Sequence, residues 1–119
     1  MRAIREREKR PVHIRKPIQG DDAYGGTPTT WSDPVRMMVQ HQPMSGGVEA
    51  RVYGESMRYM RTMLYDGPVT IEEGDGVCVF VGENEWPDYR VHAIHDWSIP
   101  RYDLKQIPPE QREVIKHEG

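Results

Sequence analysis

The residues of this chain whose types could do chemistry are five histidines, one cysteine and a run of acids. His92, His95 and Asp96 come nearest to a metal-ligand cluster. On a strand, however, His92 shares its face with Ile94 while His95 points the other way, so the two cannot chelate one ion without a bend. Partly packed or exposed histidines are the plainer reading, and His13, His41 and His117 have no partner spacing. Cys78 lies between Val77 and Val79 and is ringed in sequence by acids. A reactive thiol needs exposure and electropositive surroundings, so this one reads as a core thiol. Glu72, Glu73, Asp75, Glu83, Glu85 and Asp88 lack the spacing of a twelve-residue calcium loop. Ser32, Ser45, Ser56 and Ser98 have no Gly-x-Ser-x-Gly context, and no Gly-rich phosphate loop is present. The sequence therefore leads us to expect no catalytic residue, no cofactor and no metal.

Charge is the other candidate for function. The formal net charge is only -3, yet Arg2, Arg5, Arg7, Lys9, Arg10, Arg15 and Lys16 crowd the start against Glu6 and Glu8 alone. Such an arm either contacts the phosphates of nucleic acid or docks as a solvated tail on an acidic neighbour. The segment from Asp66 to Asp88 carries acids and no Lys or Arg. Glu72, Glu73 and Asp75 are its candidates for a subunit contact or for a channel wall along which DNA slides without sticking. A single cysteine excludes an internal disulfide and makes an intracellular origin the default. No apolar run approaches membrane-spanning length and the start lacks the apolar stretch of a signal peptide, so a soluble chain made in the cytoplasm, without a membrane partner, is expected.

The elements that must position these residues are mostly strands. At 119 residues the chain has room for one domain with a modest core. With 36% hydrophobic residues and a mean hydropathy of -0.80, it is expected to leave part of itself disordered or to bury surface against partners. Val35, Met37 and Val39 alternate with Arg36, Met38 and Gln40, and Pro43 to Gly47 breaks the pattern. Val48, Ala50 and Val52 alternate with Glu49 and Arg51, which predicts a second strand ending at Gly54. Met57 to Tyr65 fits both a helical face and a strand, with the strand favoured by its neighbours. Val69 to Ile71, Val77 to Val81 and Tyr89 to Ile94 complete the β set, with Gly74-Asp75-Gly76 as the sharpest reversal. The predicted fold is mainly β, a small antiparallel β-barrel or sandwich of about six short strands with long loops and extended N- and C-terminal arms. The expected division is a basic arm and loop over 1–30, a β-barrel over 31–99 and a C-terminal arm over 100–119. Residues 1–10 are expected to order only on a partner, and Pro109 to Lys116 to form a turn or two of helix.

Four pieces in order carry a resemblance. They are Val48-Glu49-Ala50-Arg51-Val52-Tyr53-Gly54-Glu55, Met63-Leu64-Tyr65-Asp66-Gly67, Glu73-Gly74-Asp75-Gly76-Val77-Cys78 and Pro87-Asp88-Tyr89-Arg90-Val91. Together they resemble the small head-closure proteins of tailed bacteriophages, also called stoppers, head-tail connectors or minor capsid proteins, over roughly Trp31 to Trp97. The resemblance implies a non-enzymatic β-barrel subunit that joins copies of itself in a ring in the virion neck, after a period in the host cytoplasm. Such a ring sits below the portal and its adaptor, closes the exit channel after DNA packaging and receives the tail or its terminator. It also implies long loops that gate DNA, and by position these would be Pro17 to Thr30 and Pro43 to Gly47. The isolated chain is then expected to be monomeric or weakly associated. The competing expectation is a small β-barrel that binds nucleic acid through its basic arm. Binders of single strands usually offer exposed aromatics on a basic face, whereas the central segment here is acidic.

Overall fold

Six stretches of alternating side chains close on one another. The structure, a computed structural model, describes residues 4–18 and 30–109. Its strands are β1 (Arg10–Arg15), β2 (Pro17–Ile18), β3 (Thr30–Trp31), β4 (Val35–Pro43), β5 (Met60–Leu64), β6 (Gly76–Cys78), β7 (Tyr89–His95) and β8 (Arg101–Gln106). Strands β1, β4, β5, β8, β7 and β6, in that order, form a closed antiparallel barrel, while β2 and β3 pair as a short separate ribbon. Closure leaves no open sheet edge around the wall. The mainly β fold expected from the sequence is the one observed, and of its two forms the barrel.

The interior follows the period-2 rule. Val12 and Ile14 from β1, Met37 and Val39 from β4, Met63 from β5 and Leu104 from β8 point inward and are sealed from water. Tyr65 and Ile71, beyond the end of β5, join the same core. Asp103 lies between Tyr102 and Leu104 and therefore belongs to the outer face, although it too is buried.

Several expectations are corrected by this arrangement. The barrel begins at Arg10, where a basic arm outside the domain was expected, because Val12 and Ile14 alternate with His13 and Arg15 and complete the wall between β4 and β6. It ends with β8, within the stretch expected to be a C-terminal arm, since Tyr102 and Leu104 are core residues. Residues 4–9 are also docked. The Ile4 amide donates to Asp66 at 3.0 Å, Lys9 pairs with Asp66 at 3.2 Å and Gln40 donates to Glu8 at 3.0 Å, so this segment crosses the outside of β4. Most of the Pro17 to Thr30 loop and of the Pro109 to Lys116 helix lies outside the described residues.

The predicted strand over Val48–Tyr53 is an α-helix, α1 (Gly47–Tyr53), followed by a 3-10 helix over Gly54–Tyr59. With β1 in the wall, the closed barrel has no inward position left for Val48, Ala50 and Val52. Glu49 in the first turn and Arg51 in the last then favour the helix, matching its dipole. Gly54, at φ 56°, ends it in a conformation that side chains with a Cβ rarely adopt. Met57 to Tyr65 is accordingly divided, with 3-10 geometry up to Tyr59 and strand from Met60.

Val69 to Ile71 forms no strand, although Ile71 is buried. The expected strand Val77 to Val81 stops at Cys78. The Asp88 carboxylate takes the amides of Val79 at 2.8 Å and Phe80 at 3.0 Å, which pulls the chain out of the ladder and leaves Phe80 66% exposed.

Candidate functional site

The densest polar cluster ties α1 to the outer face of the barrel. Alternation along β8 puts Arg101 and Asp103 on that face, and the spacing of four between Glu49 and Tyr53 puts both on one side of the helix. The Tyr53 hydroxyl donates to Asp103 Oδ2 at 2.6 Å, and His95 Nε2 lies 2.9 Å from the same oxygen. Arg101 Nε donates to Asp103 Oδ1 at 3.1 Å, and its Nη1 meets Glu49 Oε2 at 2.8 Å. Burial alone would raise the Asp103 carboxyl. The hydrogen bonds from Tyr53 and His95 and the nearby Arg101 charge outweigh it and hold the group below the usual carboxylate range. Burial and the bond to Asp103 push the Tyr53 phenol up to about 12, so it stays protonated and acts as a donor at neutral pH. The arrangement holds a helix in place. Beside this anchored edge the helix is exposed: Val48 and Val52 are 68% and 66% exposed next to Arg51, and α1 has no buried residue.

A second cluster closes one mouth of the barrel. Arg10, His41 and Arg61 occupy inward-facing rows at the ends of β1, β4 and β5, their register partners including Val39, Met63 and Leu104. Arg61 Nε donates to His41 Nδ1 at 3.1 Å while its guanidinium lies 5.0 Å from the centre of the Phe80 ring. Burial, then the Arg61 charge, lowers the His41 pKa, which keeps the ring neutral as an acceptor. His41 and Tyr89 meet Phe80 edge-on, at 5.9 and 6.4 Å between ring centres. Phe80 thus sits over the mouth with much of its ring in water.

The residues singled out from sequence fare differently. Asp75 is buried: it accepts the Glu72 amide at 2.8 Å and binds the Lys16 ammonium. Its carboxylate is thus turned into the fold and closes the turn in which Gly74 adopts φ 95°. Glu72 and Glu73 remain exposed. Asp66, Asp75 and Asp88 each accept at least one backbone amide: Asp75 that of Glu72 within its own turn, Asp88 those of Val79 and Phe80 just beyond β6, and Asp66 that of the distant Ile4. Glu72, Glu73, Glu83 and Glu85 stay on the surface, so the segment keeps an acidic outer side.

The basic residues are likewise drawn inward. Lys16 also donates to the Thr70 carbonyl at 3.1 Å, and Arg15 donates to the carbonyls of Ser32 at 2.7 Å and Glu85 at 3.0 Å. Lys9 is raised by its bonds to Glu6 and Asp66, and Arg10 donates to the carbonyls of Arg7 and Lys9. Arg5 and Arg7 are exposed, and Arg2 lies outside the described residues.

Cys78 is buried, and its thiol is pushed up to about 11 by burial and then by Asp88, the reverse of an activated nucleophile. His92 meets the Tyr53 ring edge-on while His95 turns to Asp103. Among the described residues no group of three or more His, Cys, Asp or Glu side chains is placed to hold a metal ion, and no helix is long and apolar enough to cross a membrane.

Sequence reasoning missed the Asp103 cluster altogether. Its signal was present in Arg101-Tyr102-Asp103-Leu104, an alternation hidden within a stretch assigned to the tail. Compared with protein-family models and with characterised proteins, the chain matches none.

Proposed function

We propose that this protein is a structural subunit of a tailed-bacteriophage neck. Copies of it would join in a ring that closes the head exit channel after DNA packaging and connects the portal and its adaptor to the tail. The observation that supports this reading most is the excursion between β4 and β5. A helix that exposes Val48 and Val52 is held to a closed barrel through Glu49 and Tyr53 beside them. A monomer gains nothing from a fixed apolar helix face in water; a subunit that packs against its neighbours does. Head-to-tail contacts of this kind generate a ring when the rotation closes. The resemblance over Trp31 to Trp97 points the same way, and the excursion includes the Pro43 to Gly47 segment suggested for gating.

The alternative, nucleic-acid binding through the basic arm, has less support. Lys9, Arg15 and Lys16 spend their charge on partners within the fold.

Removing the gene from a phage that carries it tests the proposal. Heads that package DNA, leak it and fail to join tails are expected, with rescue by the wild-type protein. Intact tailed particles lacking the protein overturn it.

A further inference from the structure

The barrel wall has no open strand edge to offer, so contact between copies of it runs through side chains. Two exposed surfaces stand on opposite sides of that wall. The first is built on α1, which is bonded to β8 through Glu49–Arg101 and Tyr53–Asp103. Beside Val48 and Val52 it carries Trp97, whose ring centre lies 5.5 Å from the Arg101 guanidinium and which is 57% exposed. The second is the loop 79–86, which is bonded to β1: His13 Nε2 meets Glu83 at 3.2 Å, and Arg15 donates to the Glu85 carbonyl. In barrel order β1 and β8 are three places apart in either direction, so the two surfaces face away from each other. Phe80 opens the loop. Its ring meets His41, Tyr89 and Arg61, yet the residue stays 66% exposed. The charges of the two surfaces are opposite. Arg51 on α1 and Glu85 on the loop are both exposed, and neither joins an ion pair among the described residues.

We infer that α1 of one copy docks on the 79–86 loop of the next. Val48, Val52 and Trp97 lie against Phe80, and Arg51 pairs with Glu85. The aromatic rings supply most of the affinity, while the ion pair sets register and excludes wrong pairings. A two-fold contact between α1 helices would leave Phe80 and Glu85 uncovered. The head-to-tail contact covers both surfaces of every copy once the ring closes. This pairing rests on the ring reading above and adds to it the surface that receives the helix.

Sedimentation velocity of the full chain, up to about 1 mM, tests it with two variants that each spoil one surface. Val48→Asp with Val52→Asp spoils the helix side, and Phe80→Asp spoils the loop side. Each alone should associate at least tenfold more weakly than the parent. An equimolar mixture should form one-to-one pairs with parental affinity and stop there, because each pair retains one intact contact. Charge reversal supplies a second arm that leaves the apolar residues in place. Arg51→Glu and Glu85→Arg should each weaken association about tenfold with unchanged melting temperatures, and the two combined should restore it. A parent that stays monomeric throughout, a mixture that forms no pairs, or a combined charge reversal that fails to restore association overturns the inference. Such a failure together with leaking, tailless heads after gene removal drops this interface and keeps the neck assignment. Pairing in the mixture together with intact tailed particles keeps the interface and drops the neck.

Discussion

In the barrel wall, Met63, Val39 and Leu104 are sealed from solvent and every strand is bonded to two others. In the excursion between β4 and β5, α1 buries no residue and is held by side-chain bonds to one strand, through Glu49–Arg101 and Tyr53–Asp103. The first region is held by area removed from water, which is non-directional and shared among many neighbours. The second is held by a few directional bonds that can be removed one at a time. Damage to the wall should therefore spread through the domain, while damage to the attachment should stay local.

Leu104→Ala tests the wall and should have the largest effect. Emptying that core position should cost about 3 kcal/mol in urea denaturation, with the helical and β signals lost in one transition. A separate, unshifted transition for the helix would break the comparison. Asp103→Asn tests the attachment and should cost about 2 kcal/mol. Hydrogen exchange should speed up over 47–59 while amides of β1 and β4 keep their protection. Equal loss in both regions would show that the excursion is part of the wall.

Acid should separate the regions next. Asp103 and Asp66 titrate below the usual carboxylate range in the folded protein, so each contributes stability that is present above about pH 3.9 and lost as pH falls through the folded value. His41 is depressed as well, and its contribution begins to fade as pH falls below about 6.5. Stability measured by urea melts at stepped pH should decline slightly first and more steeply below about pH 4, with the steeper part reduced in Asp103→Asn. Smallest of all should be the effect of Val48→Asp with Val52→Asp. The double variant should stay within about 0.5 kcal/mol of the parent, because both side chains already face water. On the proposed function it should nevertheless fail to enter necks, as read by its presence in purified particles.

Legibility in the sequence followed the range of the interactions. The inward set of β4, Met37 and Val39, and the burial of Cys78 could be read directly, because alternation and flanking residues are local signals. The same signal existed in Val12 and Ile14, but the surrounding Arg and Lys residues made the stretch look like a tail. Val48, Ala50 and Val52 alternated equally well and form a helix. The candidate surfaces were less legible still, since the Asp103 cluster gathers residues from α1, β7 and β8 that are far apart in the chain.

By itself the sequence determined that this chain is mainly β, that it reverses at Gly74-Asp75-Gly76 and that Met37 and Val39 face a core. The glycines, prolines and aspartates act within a few residues of themselves, and period-2 patterning needs no distant partner. Only the tertiary structure decided which six alternating stretches close the barrel. Closure admits one strand at each place in the wall, so once β1 lies between β4 and β6, the Val48–Tyr53 segment must fold outside. That exclusion turned a core strand into a helix with an exposed apolar face. It also drew the basic start and the buried aspartates into holding the fold together.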